Sequence, residues 1–300
     1  MNDILYILSP SYSGSTLLTF LLGTHPAIGT IGELKATSMG DIDQYLCSCG
    51  QNIRQCGFWT RIAEELDRRH VPFDLADFGT DIRGEAGSFG DRLLRAGIRG
   101  PFAESLRGLA LAVAPGPRRA LRQILEKNRV LAEVVCEAQD ARIFLDGSKD
   151  PIRLKWLLTI PQWNIRVLYL IRDGRGVSNS YMRHYNCGMD KAAVEWRRTH
   201  LECERILRTR PSGSVLKVHY EDLCRAPGDT LDRIFRFLDL ESAPACDFRS
   251  VQQHILGNAM RLGSTAEITL DEKWRTMLTE EDLRRFDAIA GGLNHRYGYR

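Results

Sequence analysis

Residues 3–23 read DILYILSPSYSGSTLLTFLLG, and the fold turns on how this stretch is read. Residues 3–9 are apolar and β-rich and are bounded by Pro10, the pattern of a short buried strand. Residues 15–23 form an apolar run ending at Gly23, the pattern of a helix with its stop signal. PSYSGST lies between them. Gly14 lets the backbone turn sharply and approach an anion closely. The N–H groups of Ser13, Gly14, Ser15 and Thr16 then converge at a helix N-terminus, which has unpaired donors and partial positive charge. The hydroxyls of Ser13, Ser15 and Thr16 add donors. A plain strand–turn–helix with a Ser cap fits the same letters. A GxxxxGK[ST] loop does not, because Ser15 follows Gly14 where that loop has Lys. An ATP or GTP hydrolase would lack the cation that spans its terminal phosphates, so the loop suits a different nucleotide.

The rest of the chain continues the alternation. RIFLDGSKDP (142–151) reads as a strand ending at Asp146 with a helix after Pro151, and NIRVLYLIRDGRG (164–176) contains the cleanest buried strand. A helix through VSNSYMRHY, a long amphipathic helix over 190–209, a strand SVLKVH (214–219) and a helix capped near Asp229 follow. The expectation is an α/β fold: a central parallel sheet flanked by helices, with a P-loop-like nucleotide-binding architecture. Residues 40–140 differ. They carry a Cys cluster, the Gly-rich GTDIRGEAGSFGDRLL (79–94) and Arg-rich helical patterns, and they read as a mainly helical insertion in one domain spanning 1–300.

Composition narrows the partners. The chain has 300 residues, 43% hydrophobic and 26% charged, as in an ordinary globular protein. A net charge of +3, with Arg spread along the chain, argues against nucleic acid and for a small anionic ligand in a local basic pocket. No run reaches the roughly 20 apolar residues of a membrane span, and the N-terminus lacks the basic start of a signal peptide. The chain is read as cytoplasmic and bacterial. Cys136, Cys187, Cys203, Cys224 and Cys246 are scattered and read as reduced, buried, small hydrophobes.

LIRDGRGVSNS (170–180) supplies a second anion motif. Arg172 stands at the C-terminal end of a strand, where open α/β sheets bind ligands. Ser180 comes eight residues later, about two helical turns on. A guanidinium and a hydroxyl from two elements can close on one phosphate. Pairing of Arg172 with Asp173 or Asp146, with Ser180 on the surface, is the alternative.

Two anion sites on neighbouring strands imply a ligand with two separated anionic groups. Here the sequence resembles the sulfotransferases that use 3′-phosphoadenosine 5′-phosphosulfate (PAPS). SYSGSTLL looks like their 5′-phosphosulfate loop and IRDGRGVSNS like their 3′-phosphate motif. KVHYEDLCRAP, followed by TLDRIFRFLDL, resembles their next segment. The elements GST, GE, KDP, RDGR and YE occur in the order found in tyrosylprotein sulfotransferases and related bacterial enzymes. The resemblance covers residues 3–35 and 143–300; within 40–140 only the Cys cluster is similar to bacterial members.

The resemblance implies roles. Glu33, in TIGELKA and 21 residues after Tyr12, matches the general base that takes the acceptor's proton in an in-line displacement. Lys149 matches a cation near the leaving group, where charge builds in the transition state. Tyr220 matches a position beside the nucleotide, and Arg261 and Lys273 are candidate phosphate-binding cations in GNAMRLGSTAEITLDEKW (257–274). Tyr12 departs from the pattern, since the family usually has Arg or Lys there. A phenol near neutral pH offers a hydrogen bond and no charge. Either Lys149 carries the electrostatic load while Tyr12 steers the sulfuryl oxygens, or Lys35 or Arg175 reaches in, or PAPS is bound without turnover.

PAPS is thus the expected co-substrate, with no catalytic metal. The acceptor is a hydroxyl of a sugar, phenol, lipid or peptide tyrosine, in a site shaped by residues 40–140. A kinase-like phosphoryl transferase and a non-catalytic nucleotide-binding protein are the competing functions. Cys47, Cys49 and Cys56 cluster as C-x-C-x6-C and admit a structural zinc, with His70 as a possible fourth ligand. A disulfide or three free thiols fit that spacing too.

Overall fold

The computed structural model describes residues 3–36, 39–83, 88–95, 100–242, 247–263 and 265–300. Five strands form one all-parallel sheet: β1 (Asp3–Leu8), β2 (Ile28–Thr30), β3 (Ile143–Lys149), β4 (Asn164–Ile171) and β5 (Val215–His219), in the order β2-β3-β1-β4-β5. Helix α1 (Ser15–Leu22) follows β1. Helices α2 (Gly57–Arg68), α3 (Phe89–Arg95), α4 (Pro101–Val113) and α5 (Pro115–Ala138) lie between β2 and β3. Helix α6 (Pro151–Leu157) joins β3 to β4, and α7 (Gly174–Tyr185) and α8 (Met189–Leu207) join β4 to β5. Helices α9 (Tyr220–Arg225), α10 (Pro227–Phe237), α11 (Trp274–Met277), α12 (Glu280–Phe286) and α13 (Gly292–Arg296) complete the chain.

Strand β1 shows why the sheet is covered on both faces. Successive side chains of a strand point to opposite sides. Ile4, Tyr6 and Leu8 enter one core with Phe144, Val167 and Tyr169, under α2, α5 and α8. Leu5 and Ile7 enter the other with Leu145, Leu168 and Val218, under α1 and α10. The fold class is therefore the one expected. Chain order reverses direction across the sheet at β1, and the crevice outside the strand ends there is the ligand position of open α/β sheets.

Several local boundaries differ from expectation. Strand β3 continues past Asp146 to Lys149, through a register shift against β1 between Tyr6 and Leu8. The three-residue β2 carries too little pattern to read from sequence. Helix α10 begins at Pro227, with Asp229 in its first turn rather than at the cap, because Pro fits the first helical position, where no N–H partner is needed. Helix α5 is not an appendage. Its Val130, Leu131, Val134 and Val135 lie in the sheet's own core. Cys136, Cys203 and Cys224 are buried and Cys187 is half-buried, all unbridged, while Cys246 lies outside the described residues. Among the described residues, no helix is long and apolar enough to cross a membrane.

Candidate active site

A cleft of about 770 Å³ opens outside the C-terminal ends of β1, β3 and β4. Tyr12, Gly14, Ser15, Thr16, Glu33, Lys149, Arg172, Ser180 and Tyr220 all line it. Residues from five separate stretches of chain thus meet at one place.

The loop after β1 forms the floor. Gly14 is the N-cap of α1 with φ 87°, a left-handed conformation that suits glycine. A Cβ on Gly14 would collide with the Tyr220 ring. Ser13 is buried and its hydroxyl has no protein partner, as is also true of Ser9 at the cleft edge. Buried polar atoms ordinarily find partners, so the Ser9 hydroxyl is open to a ligand at the cleft edge, whereas Ser13 does not line the cleft.

Arg172 closes the loop from β4. Its Nη1 donates to the Tyr12 carbonyl at 2.9 Å, and its Nη2 donates to the Asp271 carbonyl at 2.8 Å and to Asp271 Oδ2 at 3.1 Å. Its guanidinium lies 4.3 Å over the Tyr220 ring. The pairing with Asp173 or Asp146 is excluded: Asp173 holds Arg175, and Asp146 holds the buried Arg153. Burial pushes the Asp271 carboxyl up, but the Lys273 N–H and Arg172 outweigh it and keep it below its ordinary range. Burial pushes the Tyr220 phenol up to about 12, so it stays protonated, and its oxygen accepts from the Asp271 N–H at 3.3 Å. Ser180 lines the cleft while its hydroxyl donates to the Gly176 carbonyl at 3.1 Å, within its own helix.

Glu33 sits on the turn after β2, and that turn is stitched to the end of β3. Gly147 N–H donates to the Gly32 carbonyl at 2.7 Å, Leu34 N–H to Asp146 Oδ1 at 3.2 Å, and Lys35 N–H to Ser148 Oγ at 2.9 Å. Lys149, in the left-handed region at φ 68°, donates its Nζ to Glu33 Oε1. The candidate base and the candidate cation are therefore joined in one ion pair. Asp150 accepts from Lys35 at 3.4 Å.

Tyr12 is also left-handed, at φ 65°, with its carbonyl fixed by Arg172. Non-glycine residues held at such angles cluster at functional sites. Its ring lies against Tyr181 and His184, with centroids at 6.3 and 5.5 Å. Burial, then the Tyr185 phenol, push its hydroxyl above the ordinary range, so it acts as a neutral donor. Of the other cations, Lys35 lines the cleft, while Arg175 is turned away onto Asp173 and the Trp274 ring.

Arg261 and Lys273 do not line the cleft. Arg261 is buried over the Tyr45 ring and bonds the Leu46 and Gly257 carbonyls. Lys273 is exposed, beside Asp271. No described residue of 40–140 lines the cleft either. The far wall is built by Tyr181, His184 and Tyr185 of α7, Glu195 and Thr199 of α8, and Gly257, Asn258, Met260, Glu267, Ile268 and Thr269. Sequence reading missed Asp146, Ser148, Asp271 and the α7 rings. The LDGSKDP letters were available as a signal for the first two, but no local pattern marks the others. The cysteine cluster is real in space. Cys47, Cys49 and Cys56 meet His254, while His70 stands exposed beyond the end of α2.

A model of the sulfotransferase family matches residues 82–244, more than half of the chain. The Caenorhabditis elegans "Putative protein-tyrosine sulfotransferase" is 26% identical over 193 residues, covering 57% of this chain and 67% of that protein. Among solved structures, the sulfotransferase domain from the curacin biosynthetic pathway aligns with 100% of this chain and 99% of that one, at TM-score 0.55 and 16% identity. The sulfotransferase domain of the Synechococcus PCC 7002 olefin synthase aligns over 96% and 94%, at TM-score 0.53 and 19% identity. At these identities the structural likeness speaks for the fold.

Proposed function

The chain belongs to the sulfotransferase family, and from that premise we propose that it transfers a sulfuryl group from PAPS to a hydroxyl acceptor. The observation that carries the proposal is the Tyr220 ring, which packs against Gly14 on one side and Arg172 on the other. One aromatic residue thus joins the loop for a phosphosulfate to the guanidinium for a second phosphate. Both anion motifs thus face one cleft, which is what a ligand with two anionic groups requires.

The co-substrate supplies the sulfuryl group and departs as adenosine 3′,5′-bisphosphate. Ser15, Thr16 and the N–H groups of the Gly14 turn hold its phosphosulfate end, and Arg172 and Ser180 hold its ribose phosphate. Glu33 accepts the acceptor's proton as the oxygen–sulfur bond forms and the bond from sulfur to the bridging phosphate oxygen breaks. Protonation of Glu33 removes the negative charge that binds Lys149. The freed ammonium then meets the charge growing on the leaving oxygen. The pair thus couples proton removal to leaving-group stabilisation, and Tyr12 adds a neutral donor. The rings of Tyr12, Tyr181 and Tyr185 at the cleft wall favour a phenolic acceptor.

Calorimetry with adenosine 3′,5′-bisphosphate and ATP, followed by ³⁵S-labelled PAPS with tyrosine peptides, phenols, sugars and aliphatic alcohols, tests the reading. The expected result is binding of the bisphosphate in preference to ATP, and label on a hydroxyl. Preference for ATP would point to phosphoryl transfer. Tight bisphosphate binding with no label on any acceptor would point to a non-catalytic nucleotide protein.

A further inference from the structure

Cys47, Cys49, Cys56 and His254 place their ligand atoms within 4.8 Å of one another, and nothing in sulfuryl transfer uses them. Cys49 Sγ lies 3.7 Å from Cys56 Sγ. His254 Nδ1 lies 3.3 Å from Cys56 Sγ and 3.6 Å from Cys47 Sγ. A zinc tetrahedron with Zn–S of about 2.3 Å and Zn–N of about 2.0–2.1 Å has S···S edges of about 3.8 Å and S···N edges of about 3.5 Å. All three separations match those edges. A disulfide needs sulfurs about 2.05 Å apart and would use two of the three thiols.

The surroundings are built to hold four ligands. Cys47 and Cys56 are fully buried. Cys47 N–H donates to the Gln51 carbonyl at 2.9 Å, and Gly50 N–H donates to the Cys47 carbonyl at 2.9 Å, folding C-x-C into a tight turn. Cys56 is the N-cap of α2, so the start of that helix fixes its backbone. Ser48 Oγ donates to the Gln253 carbonyl at 2.5 Å and accepts from the Ile255 N–H at 2.7 Å, bracketing His254 on both sides. Phe58 stacks on the imidazole at 4.4 Å with an interplanar angle of 1°, fixing its plane.

We propose that Cys47, Cys49, Cys56 and His254 form a structural zinc site that clamps the 45–56 loop onto the 253–261 strap. The coordination shell is closed, so the metal takes no part in chemistry. Its effect reaches the cleft through the strap. Gly257 N–H donates to Tyr45 Oη at 2.9 Å, and a Cβ on Gly257 would press on the Glu33 carboxylate at 3.0 Å. The clamp therefore sets the wall beside the base. The proposal is independent of which donor or acceptor the cleft takes.

The test is elemental analysis of the untagged full chain purified without chelator, paired with alkylation mapping by mass spectrometry. The expected result is about one zinc per chain. Cys47, Cys49 and Cys56 should resist alkylation until a chelator is added, while half-buried Cys187 reacts as the internal control. His254→Ala and Cys49→Ser should each weaken zinc retention at least about tenfold, and His254→Cys should keep it. If the variants do not fold, cobalt exchanged into the wild-type chain should give thiolate-to-cobalt charge transfer and a tetrahedral spectrum. Any of three results would overturn the proposal: metal-free protein with freely alkylated thiols, a Cys49–Cys56 disulfide peptide, or full zinc in the His254→Ala, Cys49→Ser double variant.

Discussion

The two walls of the cleft are held by different means. The first carries the Gly14 turn, Lys149 and Arg172 at the ends of three neighbouring strands, so the parallel backbone ladder sets their spacing. The second is the strap over 253–261. Its backbone tie to the sheet side is a bridge between Gly32 and Leu256, with Leu256 N–H donating to the Ile31 carbonyl at 2.8 Å. It is also held by side chains: Ser48, Tyr45, Arg261, the thiol–imidazole cluster, Gln253 on the Phe20 carbonyl, and Ile255 and Leu256 in the two cores. Glu33 sits at the seam, paired to Lys149 on one side, with Gly257 on the other where any side chain would press on its carboxylate. In the proposed reaction the first wall binds the nucleotide, and the seam with the strap aligns the base.

The sharpest way to break that division is Glu33→Gln. Turnover should fall about 10²–10⁴-fold while affinity for adenosine 3′,5′-bisphosphate holds within a few-fold. Steady-state kinetics beside calorimetry read both, and an equal loss of nucleotide affinity would mean that the two walls are one unit. Arg153→Met attacks the rigid wall from behind. Arg153 bonds Asp146 Oδ2 at 3.2 Å, the Thr80 carbonyl at 2.7 Å and Asn128 Oδ1 at 2.5 Å, all out of solvent. Removing the guanidinium leaves the Asp146 carboxylate buried and unpaired, a loss of about 3–5 kcal/mol measurable by urea unfolding. An unchanged midpoint would show that the Arg153–Asp146 pair does not stabilise the fold.

Arg172→Ala should weaken the bisphosphate by about 1.5–3 kcal/mol, roughly ten- to a hundredfold in Kd, and also lower the folding midpoint, because it strands the Tyr12 carbonyl and Asp271. Unchanged affinity would remove the ribose-phosphate site from the first wall. The smallest expected effect lies in the core behind that wall. Burial depresses the His200 imidazole to about 3, while the unfolded chain keeps a value of about 6.5. Between those values the unfolded state binds a proton that the native state refuses. Stability is therefore full above about pH 6.5 and falls on acidification by up to about 1.4 kcal/mol per pH unit from this group. His200→Asn should flatten that limb in urea titrations at pH 7 and pH 5.5. An identical slope would mean that His200 protonates in the native state.

The first wall was legible where local chemistry fixed it. PSYSGST and LIRDGRG announce a strand end, a turn and a helix start within a dozen letters, and the parallel sheet brings such ends together. β2 was invisible because three residues carry no period. Arg261 and Lys273 were named from the resemblance of their loop, whereas the Leu46 carbonyl and Tyr45 ring that hold Arg261 come from distant chain. His254 lies 198 residues from Cys56, and no spacing rule spans that gap.

Sequence by itself determined the α/β class, the two anion motifs and the family resemblance, because strand period, glycine turns and helix ends are short-range properties of the chain. The tertiary structure alone decided that Glu33 pairs with Lys149, that Arg172 is held by Asp271 rather than Asp146 or Asp173, and that His254 and not His70 joins the thiols. Those choices depend on which side chains packing brings within a few ångströms, and that distance is set by the whole sheet and its covering helices rather than by neighbours in the chain.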